Sequence, residues 1–130
     1  MGHAFVKDVR AEEIAHEVIG AAIEVHRALG PGYLESVYEQ ALALEMELRG
    51  VPFERQACFS VDYKGHFVGE GRVDFLVAGC LVLELKAVES VSSIHRAQII
   101  GYLKALRLHL GLLLNFKAET LRDGLHRIVL

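Results

Sequence analysis

From Gly71 to Val88 the chain reads G-R-V-D-F-L-V-A-G-C-L-V-L-E-L-K-A-V, with two apolar runs on either side of Ala78-Gly79. Apolar runs flanking such a dipeptide predict a β-hairpin. Alternation puts Val73, Phe75 and Val77 on one face of the first strand, and Leu81, Leu83 and Leu85 on one face of the second. The opposite face carries Arg72 and Asp74, then Glu84 and Lys86, because side chains two apart on a strand point the same way.

Register decides whether Asp74 joins Glu84. A two-residue turn at Ala78-Gly79 would set Val73 opposite Glu84 and turn Asp74 away. A three-residue loop, Ala78-Gly79-Cys80, or a bulge, would set Asp74 opposite Glu84. The second arrangement is expected, since the first puts Asp74 on the face with Leu83 and Leu85 and a buried face resists a one-residue slip. Two opposed carboxylates lie about 5 Å apart at Cβ. Bare charges ~4 Å apart repel by about 4 kcal/mol at an effective dielectric of ~20. A shared proton, the Lys86 ammonium or a divalent cation would offset this. Oxygen donors on a strand pair suit Mg²⁺, which keeps several waters and takes one or two protein carboxylates. A structural ion pair on a solvated sheet face accounts for the strand pattern equally well.

Around this hairpin the periodicity changes. Residues 11–29 carry Ile14, Val18, Ala21, Ala22, Val25 and Leu29 at helical spacing, with Asp8 as a candidate N-cap after a short, loose N-terminus. His16 and His26 fall near the polar edge of that helix. Gly30-Pro31-Gly32 ends it, and a second helix is predicted over about 34–49, with an apolar stripe of Leu34, Val37, Tyr38, Ala41, Leu42, Leu44 and Leu48. Glu35 lies in its first turn, one turn from Tyr38 and Glu39. An acidic residue there is ordinarily favourable with the helix dipole.

Phe53 to Tyr63 reads as a strand, Lys64-Gly65-His66 as a turn, and Phe67 to Val77 and Cys80 to Val88 complete an antiparallel meander. Ser92 or Ser93 can cap a helix over about 94–108 that puts His95, Gln98 and Tyr102 on one face. Gly111 to Phe116 is nearly all apolar, as in a strand buried on both faces, parallel to the third strand after a helical crossover. Residues 125–130 read as a last strand. The expected order is ααβββαββ in a single domain spanning 1–130.

Composition supports a packed core: 130 residues, 52% hydrophobic. No apolar run approaches the ~20 residues of a membrane span, and a soluble cytoplasmic protein is expected. Cys58 and Cys80 form no C-x-x-C pair and read as buried free thiols. A net charge of −3 and a pI near 6.1 lack the basic footprint of a non-specific nucleic-acid binder. A polyanion would have to be held by a local patch, a metal or a second subunit.

Taken together these motifs resemble the PD-(D/E)xK nuclease superfamily, and within it the small proteins named after a GxxExxY motif. That motif reads Gly32-Tyr33-Leu34-Glu35-Ser36-Val37-Tyr38. The superfamily signature reads Val73-Asp74, nine residues, then Glu84-Leu85-Lys86, with Val73 at the eponymous proline's place. A later Q-x-x-x-Y reads Gln98-Ile99-Ile100-Gly101-Tyr102. The resemblance implies an α/β (α+β), restriction-endonuclease-like core: a central mixed sheet flanked by helices. It implies a metal-dependent nuclease acting on DNA or RNA. Asp74, Glu84 and the Leu85 carbonyl would bind Mg²⁺ or Mn²⁺, with Glu35 completing the cluster directly or through water. Lys86 would activate the attacking water, Gln98 would orient water or phosphate, and Tyr102 would pack or hydrogen-bond behind them. Arg72, His95 and Arg96 are candidate phosphate contacts, and a homodimer would offer a grip on a duplex. The alternative is a catalytically inactive nuclease-fold module that binds or regulates a partner protein or nucleic acid.

Overall fold

A computed structural model describes residues 2–130, with side chains described from Val9 onward. The elements are α1 (Gly2–Leu29), α2 (Glu35–Leu48), β1 (Phe53–Tyr63), β2 (His66–Val77), β3 (Leu81–Lys86), α3 (Ser93–Leu106), β4 (Leu110–Asn115), α4 (Leu121–Gly124) and β5 (Leu125–Val129). The strands form one mixed sheet in the order β1-β2-β3-β4-β5, antiparallel except for the parallel β3–β4 pair. This is the expected α+β architecture with one addition. The single turn α4 interrupts the expected β4-to-β5 connection, capped by Thr120, whose side chain accepts from the Asp123 N–H. Asp8 is not an N-cap, because α1 already runs from Gly2 and no proline intervenes to stop it.

Alternation along the central strands builds two cores. Leu81, Leu83 and Leu85 of β3, with Leu110, Leu112 and Leu114 of β4, face a cluster shared with α1 and α2. Val82 and Leu113 face the other side, where Ile99 and Leu103 of α3 cover them. Phe75 and Val77 join the first cluster as expected, but Val73 packs into the second. Beyond Phe75, β2 pairs with β1 alone and the two continue as a long arm. Phe59 of that arm meets Tyr102 of α3 edge to face, with ring centroids 5.3 Å apart.

Three sequence expectations fail for packing reasons. The buried face of α2 is Tyr38, Leu42, Ala43 and Met46; Leu34 is 76% exposed and Leu48 74%. The α2 sequence is apolar on more than one side, so its periodicity left the phase of its buried face ambiguous. His26 is buried, stacked near Phe116 and bonded through Nε2 to the Ala118 carbonyl at 2.9 Å, because the β4–α4 loop closes over the end of α1. Cys58 is exposed on the arm and Cys80 half-buried in the hairpin loop, so neither is a core thiol.

How close α3 lies to the sheet is set by Gly111. A Cβ there would come within 2.6 Å of Ile99 Cγ2, whereas one on Gly101 meets open space. Gly111→Ala is expected to destabilise the chain by roughly 1–3 kcal/mol through overpacking. Gly101→Ala is expected to stabilise it by up to about 1 kcal/mol through helix propensity. Urea denaturation of the two variants checks both signs.

Candidate active site at the fork of two strands

The β2–β3 loop takes the three-residue form. Ala78 (φ 51°) and Gly79 (φ 68°) are left-handed, and the Cys80 N–H donates to the Val77 carbonyl at 3.0 Å. The register runs Val77↔Leu81, Leu76↔Val82 and Phe75↔Leu83. Continued by one residue, it sets Asp74 across from Glu84, as the buried leucine face required. At that point side chains replace the backbone ladder. The Asp74 N–H donates to Glu84 Oε1 at 2.7 Å, and the Leu85 N–H donates to Asp74 Oδ2 at 2.8 Å. Each carboxylate thus accepts from the other strand's backbone, and the strands fork.

Glu84 is only 8% exposed. Its other oxygen takes no hydrogen bond from the described residues. Since no buried side-chain oxygen among them lacks a partner, Oε2 keeps some exposure to solvent. Burial pushes the Glu84 carboxyl up to about 7 and the Asp74 charge pushes the same way, while the Asp74 N–H and Lys86 pull it back. Burial also raises Asp74, against hydrogen bonds from Leu85 and Gln56. From α2, Glu35 is raised by loss of water and by Asp74, with Lys86 opposing. From α3, the Tyr102 phenol is raised by burial and then by Glu84 and Asp74, so it stays a neutral donor. Elements from opposite faces of the sheet therefore meet in one field at the fork.

Local packing explains how Glu35 and Lys86 are presented. The Tyr38 hydroxyl donates to the Gly30 carbonyl and accepts from the Tyr33 N–H at 3.0 Å. Its ring stacks on Phe116 with centroids 4.6 Å apart. One turn after Glu35, this tyrosine ties the start of α2 to the core. Behind Lys86, buried Asn115 binds both sides of the Val88 peptide, donating to its carbonyl at 2.8 Å and accepting from its N–H at 3.1 Å. The Phe116 N–H donates to the Lys86 carbonyl at 2.9 Å.

The remaining candidates lie further out. Arg72 is exposed on β2, two residues from Asp74, and Arg96 and Gln98 are exposed on α3. His95 turns its Nδ1 back to accept from the Ser92 N–H at 3.2 Å, closing the start of α3. None of these four has a hydrogen bond to the acidic pair among the described contacts. Two participants had no expected role. Gln56 of β1 donates to Asp74 Oδ1 at 3.3 Å and to Glu39 Oε1 at 2.8 Å, and Glu39 also pairs with Arg55 at 2.9 Å. Glu39 is one helical turn beyond Glu35, a spacing that does put it on the same face. Gln56 sits in a polar stretch of strand and carried no signal.

This donor set fits a hard divalent cation. The donors are oxygens, one carboxylate oxygen is open, and burial disfavours the doubly charged pair unless positive charge arrives. Among the described residues no three His, Cys, Asp or Glu approach closely enough to hold a metal by themselves. A cation here would keep water or substrate oxygens in its shell, as Mg²⁺ commonly does.

Compared with protein families, residues 12–128 match the PD-(D/E)XK nuclease superfamily. No curated protein and no solved structure matches the chain. Among the described residues no helix is long and apolar enough to cross a membrane.

The raised Glu84 carboxyl has a consequence for stability in chelator. Between its ordinary 4.5 and about 7 the folded chain holds a proton that the unfolded chain has lost, so stability falls as pH rises through this window. Thermal melts in EDTA are expected to show that fall in the wild type and a smaller one in Glu84→Gln. Equal slopes would mean that Glu84 titrates normally.

Proposed function

Because this chain belongs to the PD-(D/E)XK nuclease superfamily, we propose that it is a metal-dependent nuclease hydrolysing phosphodiester bonds of DNA or RNA at the β2–β3 fork. The observation that carries this reading is the reciprocal Asp74–Glu84 arrangement, with Glu35, Lys86 and Tyr102 in the same field. A structural ion pair on a solvated face would lower the carboxyls, as it does for Glu12 beside Arg127 and Glu89 beside Lys117. Here burial raises both, and one Glu84 oxygen is left without a protein partner among the described residues.

Superfamily nucleases typically use divalent metals, and in this chain Asp74 and Glu84, with the Leu85 carbonyl, would hold Mg²⁺ or Mn²⁺. Such a cation supplies Lewis-acid chemistry, making water more acidic and offsetting charge on phosphate oxygens. Lys86, on the same strand face as Glu84, holds an ammonium beside the attacking water and favours its deprotonated form. It also stabilises the negative charge that develops on the phosphorus-bound oxygens. Glu35 bounds the cluster on the α2 side through water. Tyr102 keeps its phenolic proton and can donate to a phosphate oxygen or to Glu84. Gln98 orients water or phosphate, and exposed Arg72 and Arg96, with His95 behind them, supply positions for backbone phosphates.

Labelled single- and double-stranded DNA and RNA, incubated with Mn²⁺, Mg²⁺ or EDTA, test the reading directly. Cutting is expected with a divalent cation and to stop in EDTA. Asp74→Asn and Lys86→Ala are each expected to lose activity by about 10²-fold or more. A wild type that cuts nothing across the panel would point instead to a nuclease-fold module that binds without hydrolysis.

A further inference from the structure

Gln56 breaks the β1–β2 pairing beside the fork, well before the register shift between Val61 and Asp62. Its neighbours pair regularly with β2, Arg55 with Phe75 and Ala57 with Val73, so Gln56 stands where it would oppose Asp74. It drops out of that pairing and adopts φ 50°, a left-handed conformation in mid-strand. Glycine takes this conformation freely and other residues at a cost, and such outliers persist where surrounding contacts impose them. The contacts here are specific. One primary amide, with two N–H donors on Nε2, bonds two carboxylates from different elements: Glu39 Oε1 of α2 at 2.8 Å and Asp74 Oδ1 of β2 at 3.3 Å. Arg55, the preceding residue, holds the other Glu39 oxygen at 2.9 Å.

We infer that Gln56 is a positioning residue that fixes the plane of the Asp74 carboxylate for cation binding, with Glu39 as its anchor. Asp74 then has one donor on each oxygen, Gln56 on Oδ1 and the Leu85 N–H on Oδ2. A carboxylate held at both oxygens cannot rotate, and each oxygen keeps a lone pair for a ligand. The residue type matters. A lysine or arginine at this place would add a positive charge that competes with the cation. A glutamate would add repulsion to a cluster already containing Glu35, Glu39, Asp74 and Glu84. A neutral amide with two donors bridges two carboxylates without changing the charge. The left-handed backbone is what turns the amide toward both. This role rests on the cation-binding reading of the fork, and the experiment separates the two.

The test is Mn²⁺ titration by calorimetry on the full chain, beside thermal melts of the same samples in EDTA, for wild type, Gln56→Gly and Gln56→Ala. Gly relieves the left-handed backbone and Ala keeps it; both remove the amide. The expected result is a 10–100-fold loss of Mn²⁺ affinity in both variants, while Gln56→Gly melts higher than Gln56→Ala. Affinity would then follow the amide and stability the backbone. Wild-type affinity in Gln56→Gly with a loss only in Gln56→Ala would make Gln56 purely structural and overturn the inference. Wild-type affinity in both variants would also overturn it, leaving the fork's cation site intact. No Mn²⁺ binding by the wild type would overturn the cation reading and this inference together.

Discussion

Across the fork, Asp74 and Glu84 each accept a hydrogen bond from the other strand's backbone. Two facing carboxylates cannot close like a leucine pair, and at short range their charges repel. By taking Asp74 and Leu85 N–H donors, they satisfy donors that lie where the ladder ends, and they separate the strands. Most of the architecture near the site follows from this. β2 leaves β3 and continues with β1 as the arm, and the end of β3 stays paired with β4 through Lys86 and Asn115. Groups from both sides of the sheet, Glu35 on α2 and Tyr102 on α3, feel the charge of this pair.

That approach depends on the two-sided core. The leucines of β3 and β4 anchor α1 and α2 on one face, and Val82 and Leu113 anchor α3 on the other. Tyr38 fastens the start of α2, so Glu35 is carried by a rigid helix end rather than by a loose loop. Tyr102 is steadied by Phe59 of the arm. Nearly every group at the fork is thus supported by packing or hydrogen bonds outside it, which is how an unfavourable crowd of carboxylates is kept in place. Burial, with the Asp74 charge beside it, raises the Glu84 carboxyl to about 7.

The motif residues divide accordingly. Asp74 and Glu84 bond across the fork, and Glu35 and Lys86 lie within reach of their charge, whereas Tyr38 of the same GxxExxY stretch is buried and structural. His95, on the α3 face shared with Gln98 and Tyr102, closes the helix start with Nδ1. Shared membership of a motif does not imply a shared task. Some motif residues meet at the fork, and others support the fold around it.

Period-two alternation predicted the hairpin, and the burial of its leucine face picked the register, although Val73 left the face expected for it. Putting Leu83 and Leu85 inward leaves one register in which Asp74 meets Glu84, and the structure has that register. The nearly all-apolar run at β4 likewise revealed a strand covered on both faces. What only the tertiary structure decided depends on contacts between distant segments. The phase of α2 was open because its sequence offers apolar residues on several sides, and packing against β3 and Phe116 selected Tyr38, Leu42 and Met46. His26 became buried because the Ala118 loop, 92 residues away, closes on it. Gln56 acquired its place through a local backbone reversal and two carboxylates 17 and 18 residues distant. A single sequence records which face of an element is apolar. It does not record which distant polar group will find a donor, because that depends on where two independently formed elements come to rest.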